Sequence, residues 1–208
     1  MQCACSIIIH SWIRGKRAGD KRADGLSHQK NVAITSTLTV FEPYTGREIF
    51  PGDGGAAVAQ QIKEVIEKNY AVSVNKDSAA AAMFKKEMVW EKKFVELGGR
   101  LMAGVDPTGS GRTIPGYADR HMLELLVEAG FTFPQAVKIC GLNAAEYLGR
   151  DKEIGTIAIG KKADLVLING DPEKEIKAVR NTEIVFKNGV GYDSKKLFES
   201  VNGKVGLY

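Results

Sequence analysis

Residues 100–111, RLMAGVDPTGSG, end a short apolar run in a carboxylate, Asp106, which opens a loop of Pro, Thr, Ser and Gly. A carboxylate at the C-terminal tip of a strand is placed to accept a proton and hand it on. In parallel α/β folds the site is built from the loops that follow the strands. Thr108, Ser110 and Arg112 follow Asp106 and offer hydroxyl and guanidinium donors for holding a substrate beside it. An aspartate before proline also opens turns and caps helices, so residue type alone leaves both roles open. Other donors are sparse: the histidines are His10, His28 and His121, with no His-x-His pair. Cys3, Cys5 and His10 are metal-donor types, but their irregular spacing at a terminus reads as an unstructured segment rather than a metal site.

The elements around Asp106 must hold it in place. Downstream, residues 121–129 (HMLELLVEA) set Met122, Leu125, Leu126 and Ala129 at helical spacing, and Gly130 ends the helix. A second helix starts near residues 132–134 and buries Ala136, Val137, Ile139, Cys140, Leu142, Ala144, Ala145 and Leu148 before Gly149. The period then changes to alternation over 154–172 and 182–193, which predicts short strands joined by Gly, Asn and Asp turns. Upstream, residues 54–69 predict an amphipathic helix with Val58, Ile62, Val65 and Ile66 on one face, and 78–97 a longer one. Tyr44, Arg47 and Phe50, in the loop before them, either reach into a pocket or pack the loop onto its own helix.

The segments AGVDPTG, HMLELLVEAGFTFPQAV, KICGLNAAEYLGRDKEIGTIAIGKKADLVLINGDP and IVFKNGVGYD together resemble the C-terminal half of a metal-dependent amidohydrolase, of the imidazolonepropionase-like or prolidase-like branch. The run over 142–172 is the most specific part, and NVAITSTLTVFEP over 31–43 is similar to an inner strand and loop of the same barrel. The resemblance implies hydrolysis of a carbon–nitrogen bond in a small amide or dipeptide-like molecule by metal-assisted attack of water. It implies a divalent metal, zinc, with Asp106 as ligand and proton shuttle. His28 stands as the remnant of a middle-strand ligand or as a loop histidine, and His121 as a rim residue at the start of a helix, able to touch substrate. Asp164, in the GKKADLV segment, reads as a structural turn carboxylate.

Length sharpens this reading. A complete (β/α)₈ barrel takes about 250 residues, more than these 208 residues contain once the β-rich end is set aside. The expected fold is α/β: a partial, TIM-type β/α barrel followed by a small β-sandwich. Residues 1–30 would be an atypical basic segment, 31–150 the partial barrel carrying its last strands, and 151–208 the β segment and tail. A truncated barrel leaves sheet edges open, so self-association or a partner completing the barrel is expected. The alternative is a catalytically inactive remnant that acts, if at all, through association. A net charge of +4 invites nucleic acid as a partner. Lysines interleaved with acids, as in KKEMVWEKK over 85–93, read instead as a solvated face, and no nucleic-acid motif is present. No segment has the length of a membrane span or the form of a secretory signal. Three cysteines suit a reducing, cytoplasmic setting.

Overall fold

The computed structural model of the chain describes residues 32–73, 79–107 and 112–206. The expectations for His28, Thr108, Ser110, the Cys3, Cys5 and His10 pattern and the basic segment fall outside these residues. Two four-residue strands, β1 (Ala33–Ser36) and β2 (Arg100–Ala103), pair in parallel, from Ala33 opposite Arg100 to Ser36 opposite Ala103. Between them come the single helical turn α1 (Leu38–Phe41), the 3₁₀ turns Glu42–Thr45 and Pro51–Ala56, and the helices α2 (Gln60–Ser73) and α3 (Ala79–Glu96). Helices α4 (Tyr117–Glu128), α5 (Phe133–Cys140) and α6 (Leu142–Tyr147) follow β2. A three-stranded antiparallel sheet comes next, β3 (Leu165–Ile168), β4 (Thr182–Lys187) and β5 (Val190–Asp193), with the 3₁₀ turn Ile176–Arg180 before β4 and helix α7 (Ser194–Val201) after β5.

The main core lies between the parallel pair and the helices on one of its faces. Leu101 of β2 is fully buried against Phe84, Met88 and Phe94 of α3, Met122, Leu125 and Leu126 of α4, and Ile139 of α5. The i, i+3, i+4 spacing in α3 and α4 is what places these side chains on a single stripe. Thr132 caps α5 reciprocally: Thr132 N donates to Gln135 Oε1 at 2.9 Å and Gln135 N to Thr132 Oγ1 at 3.4 Å. Gly141 then separates α5 from α6, so the one helix expected here is two. Asn143 of α6 donates to the Leu101 carbonyl at 2.7 Å, tying the second piece to β2. Val137 and Leu148, expected inside, are 47% and 65% exposed: Val137 lies on the face of α5 away from the buried Ala136 and Ile139, and Leu148 caps the end of α6.

Several expectations change. The helix expected over 54–69 starts at Gln60, because Val58 forms a bridge with Val205 and Ala59 N donates to the Val205 carbonyl. The strand expected within 31–43 is only β1. The alternation over 154–172 yields only β3; Ile157 and Ile159 stand outside any strand at 87% and 107% exposure. Alternation predicts a strand only where a second strand is there to pair with it. Among the described residues there is neither a barrel nor a pair of facing sheets, but one parallel pair and one three-stranded sheet. Helices cover one face of the parallel pair, while Thr35 and Met102 on the other are only half-buried. No described helix is long and apolar enough to cross a membrane.

Candidate functional site

Asp106 lies three residues beyond β2 with φ 43°, a left-handed conformation that few side chains adopt and that Asp tolerates better than most. It is half-buried. Backbone pairing runs past the strand, with Gly104 N donating to the Ser36 carbonyl at 2.9 Å. Both flanks of the Asp106 loop are then fastened to one residue of α1. Thr39 Oγ1 donates to the Val105 carbonyl at 3.3 Å, and Thr113 Oγ1 donates to the Thr39 carbonyl at 3.2 Å. Thr39 is 1% exposed, so these bonds are screened from competing water. Beside it, Arg112 Nη1 donates to the Pro43 carbonyl at 3.0 Å, and its guanidinium lies 4.5 Å from the Tyr44 ring centroid. Asp106 and Arg112 are thus brought to the C-terminal ends of β1 and β2, where strand-following loops build sites.

A second polar cluster borders this region. His121 lies within α4 rather than at its start, at 7% exposure. Its Nε2 is 2.6 Å from Glu42 Oε2 and its Nδ1 2.8 Å from Glu124 Oε2. Burial alone would lower its pKa, but the hydrogen bonds to Glu124 and Glu42 outweigh that and raise it to about 9. The ring is therefore an imidazolium with both nitrogens donating. Burial would raise the Glu124 carboxyl, but hydrogen bonds from Arg180 and His121 hold it at about 2. Arg180 grips Glu124 through Nε at 2.6 Å and Nη2 at 2.7 Å, and reaches Asp53 at 2.8 Å. Arg47 completes the chain of charges by pairing with Glu42 and Glu128. Gly52, at φ 74°, lets the 3₁₀ turn approach: a Cβ there would lie 2.7 Å from the Tyr117 carbonyl oxygen and 2.9 Å from His121 Cβ.

Two carboxylates missed in the sequence lie on α3. Glu87 and Glu91, in the stretch read as a solvated face, are 8% and 3% exposed. Burial pushes Glu87 up to about 7. It pushes Glu91 up to about 8, with Glu87 adding to the shift and the Ser36 hydroxyl opposing it; neither Glu91 oxygen has a hydrogen bond of good geometry. The i, i+4 spacing of the two acids was visible, but lysines on both sides hid which face turned inward. Glu42 carried no local signal at all, since its partner is 79 positions away. Asp164 serves the turn after β4, accepting from Asn188 N at 2.8 Å and from Lys187 Nζ at 2.6 Å. Among the described residues, no three His, Cys, Asp or Glu side chains converge on a point where a metal could sit.

Comparison with known proteins gives these features a setting. A family model described as the amidohydrolase family matches residues 56–191. The chain is 27% identical over 164 residues to an imidazolonepropionase of a Geobacillus species, covering 72% of this chain and 37% of that one. It is 33% identical over 84 residues to a 5-methylthioadenosine/S-adenosylhomocysteine deaminase of Moorella thermoacetica, covering 38% of this chain and 20% of that one. In fold it is similar to the crystal structure of a Xaa-Pro dipeptidase with bound methionine in the active site, with TM-score 0.58 and 20% identity over 84% of this chain and 37% of that one. The chain spans well under half the length of each of these relatives.

Proposed function

The chain belongs to the amidohydrolase family, and from that premise we propose that it supplies the aspartate-bearing end of a site that hydrolyses carbon–nitrogen bonds in small amide or dipeptide-like molecules. The observation that carries this reading is Asp106 beyond the tip of β2, in a left-handed conformation, on a loop fastened at both flanks by Thr39. In this role the Asp106 carboxylate takes a proton as water attacks the carbonyl carbon, and returns it to the nitrogen as the carbon–nitrogen bond breaks. Arg112, with Thr108 and Ser110 outside the described residues, holds the substrate. His121, with both ring nitrogens engaged, serves as a positioning residue that fixes Glu42 and the turn carrying it.

A zinc or similar divalent ion needs three or four donors. The described residues do not fit it by themselves, since no such group converges among them. Asp106 would be one ligand, and the rest would come from residues outside the described set, such as His28, or from another chain. The parallel pair has only two strands among the described residues, and parallel strands are normally buried on both faces. That favours completion of the site by a second copy or a partner chain. The second reading, an inactive remnant that acts through association, rests on the same open sheet.

Zinc content after loading and dialysis separates the two readings, compared between the unaltered chain and Asp106→Asn, alongside hydrolysis of small acyl amides. About one zinc per chain, lost in the variant, with activity lost too, is the expected result. Background zinc in both leaves the remnant reading.

A further inference from the structure

The inward stripe of α3 is apolar at Phe84, Met88 and Phe94, yet Glu87 and Glu91 lie on it too, at 8% and 3% exposure. Four positions apart, they project from adjacent turns of one helix face. Neither acid has an ion pair among the described residues: Lys85, Lys86 and Lys93 are exposed, and Lys92 pairs with Glu96. Both Glu91 carboxyl oxygens are sealed from solvent with no hydrogen-bond partner among the described residues. The Ser36 hydroxyl, fully buried at the end of β1, acts on Glu91, but it donates to Met122 Sδ at 3.9 Å, a weak acceptor. A proton on Glu91 would seek an acceptor, and one shared with Glu87 would draw their oxygens to hydrogen-bond distance; Glu91 makes neither contact. A cation bonded to both carboxylates at about 2.0–2.6 Å leaves them farther apart than that. Two ionised carboxylates also balance the charge of a divalent ion, and an all-oxygen donor set suits a hard ion rather than zinc.

We propose that Glu87 and Glu91 of α3, with the Ser36 hydroxyl at the end of β1, bind a hard divalent cation of the magnesium or calcium class. The ion ties α3 to β1 and neutralises two acids that the core otherwise holds without counter-charge. The proposal stands whether or not the hydrolase reading does, since none of its donors belongs to the Asp106 loop.

The test is isothermal titration of the chelator-treated full chain with calcium and with magnesium at pH 8, since the carboxyls must shed their protons to bind. About one ion per chain is expected from at least one of the two, with a urea midpoint that climbs as the ion concentration rises. Glu91→Gln and Glu87→Gln should each weaken that uptake at least about tenfold by removing one charged ligand, while Asp106→Asn leaves it unchanged. Uptake of neither ion, equal uptake in the Gln variants, or uptake lost in Asp106→Asn would each overturn the proposal, the first by leaving protonated acids in the core. In chelator, Glu91→Gln should fold at least as well as the unaltered chain, because it removes a buried ionisable group, and circular dichroism checks this. Should it fail to fold, Glu87→Gln and Ser36→Ala carry the test, and unchanged uptake in both overturns the proposal.

Discussion

Glu91 is buried with neither carboxyl oxygen hydrogen-bonded among the described residues, and its energetics set a pH dependence. Its folded pKa of about 8 and that of Glu87, about 7, lie above the ordinary 4.5. An acid raised on folding holds its proton in the native state after the unfolded chain has released it, so stability falls as pH rises from about 4.5 to about 8. His121 acts in the other sense. Its pKa is raised from 6.5 to about 9, so its contribution is complete below 6.5 and is lost as pH rises through about 9. Glu124, held at about 2, contributes above 4.5 and loses that contribution as pH falls toward 2. Urea unfolding across this range should show stability declining from pH 5 toward 9. Glu91→Met should flatten the lower part of that decline and stabilise the chain near pH 8 by about 1–4 kcal/mol, because the cost of holding a proton on a buried carboxyl is removed. An unchanged slope in the variant would mean that Glu91 is solvated in solution.

At the scale of elements, the junction between α3 and β2 depends on a glycine. Phe94, 8% exposed, folds its ring over Gly99, where an added Cβ would come within 2.3–2.5 Å of ring atoms. Gly99→Ala should therefore cost about 1–3 kcal/mol by overpacking, read as a lower urea midpoint with an unchanged slope. A cost below about 0.5 kcal/mol would show that the ring can swing aside. The junction also shows what was legible in the chain. Helices α3 and α4 were found within a few residues because their apolar stripes repeat every turn. Strands β4 and β5 were legible for a similar reason, with an Asn-Gly turn between them. The stretch over 154–164 alternated just as well and formed no strand, since pairing needs a neighbour that local sequence does not specify. Asp106 could be placed at a strand end from its own surroundings; Thr39, which fastens its loop, could not, because it belongs to another segment.

At the scale of the whole molecule, one line of charges joins the α/β part to the three-stranded sheet. It runs from Glu42 through His121 and Glu124 to Arg180, which sits in the 3₁₀ turn leading into β4. Arg120 reinforces it by donating to the Arg180 carbonyl at 2.9 Å. Arg180→Met should leave Glu124 partly stranded and loosen the sheet from α4 without disturbing the core around Leu101. Hydrogen exchange would then quicken in β3 to β5 and in the Ile176–Arg180 turn, while amides of β2 stay protected. Uniform quickening would make the chain a single cooperative unit instead. The half-buried outer face of the parallel pair leads to a second expectation at this scale. Light scattering at tens of micromolar should report a dimer or larger species, and a clean monomer would count against completion by a second copy. By itself, the sequence determined the helices with strong period, the strand-end position of Asp106 and, through motifs over 142–172, the family. These are properties of neighbours along the chain, where period and turn chemistry act within a few residues. Only the tertiary structure decided that Glu87 and Glu91 face inward and that His121 is buried between two carboxylates, because each depends on which distant segment comes to lie against it.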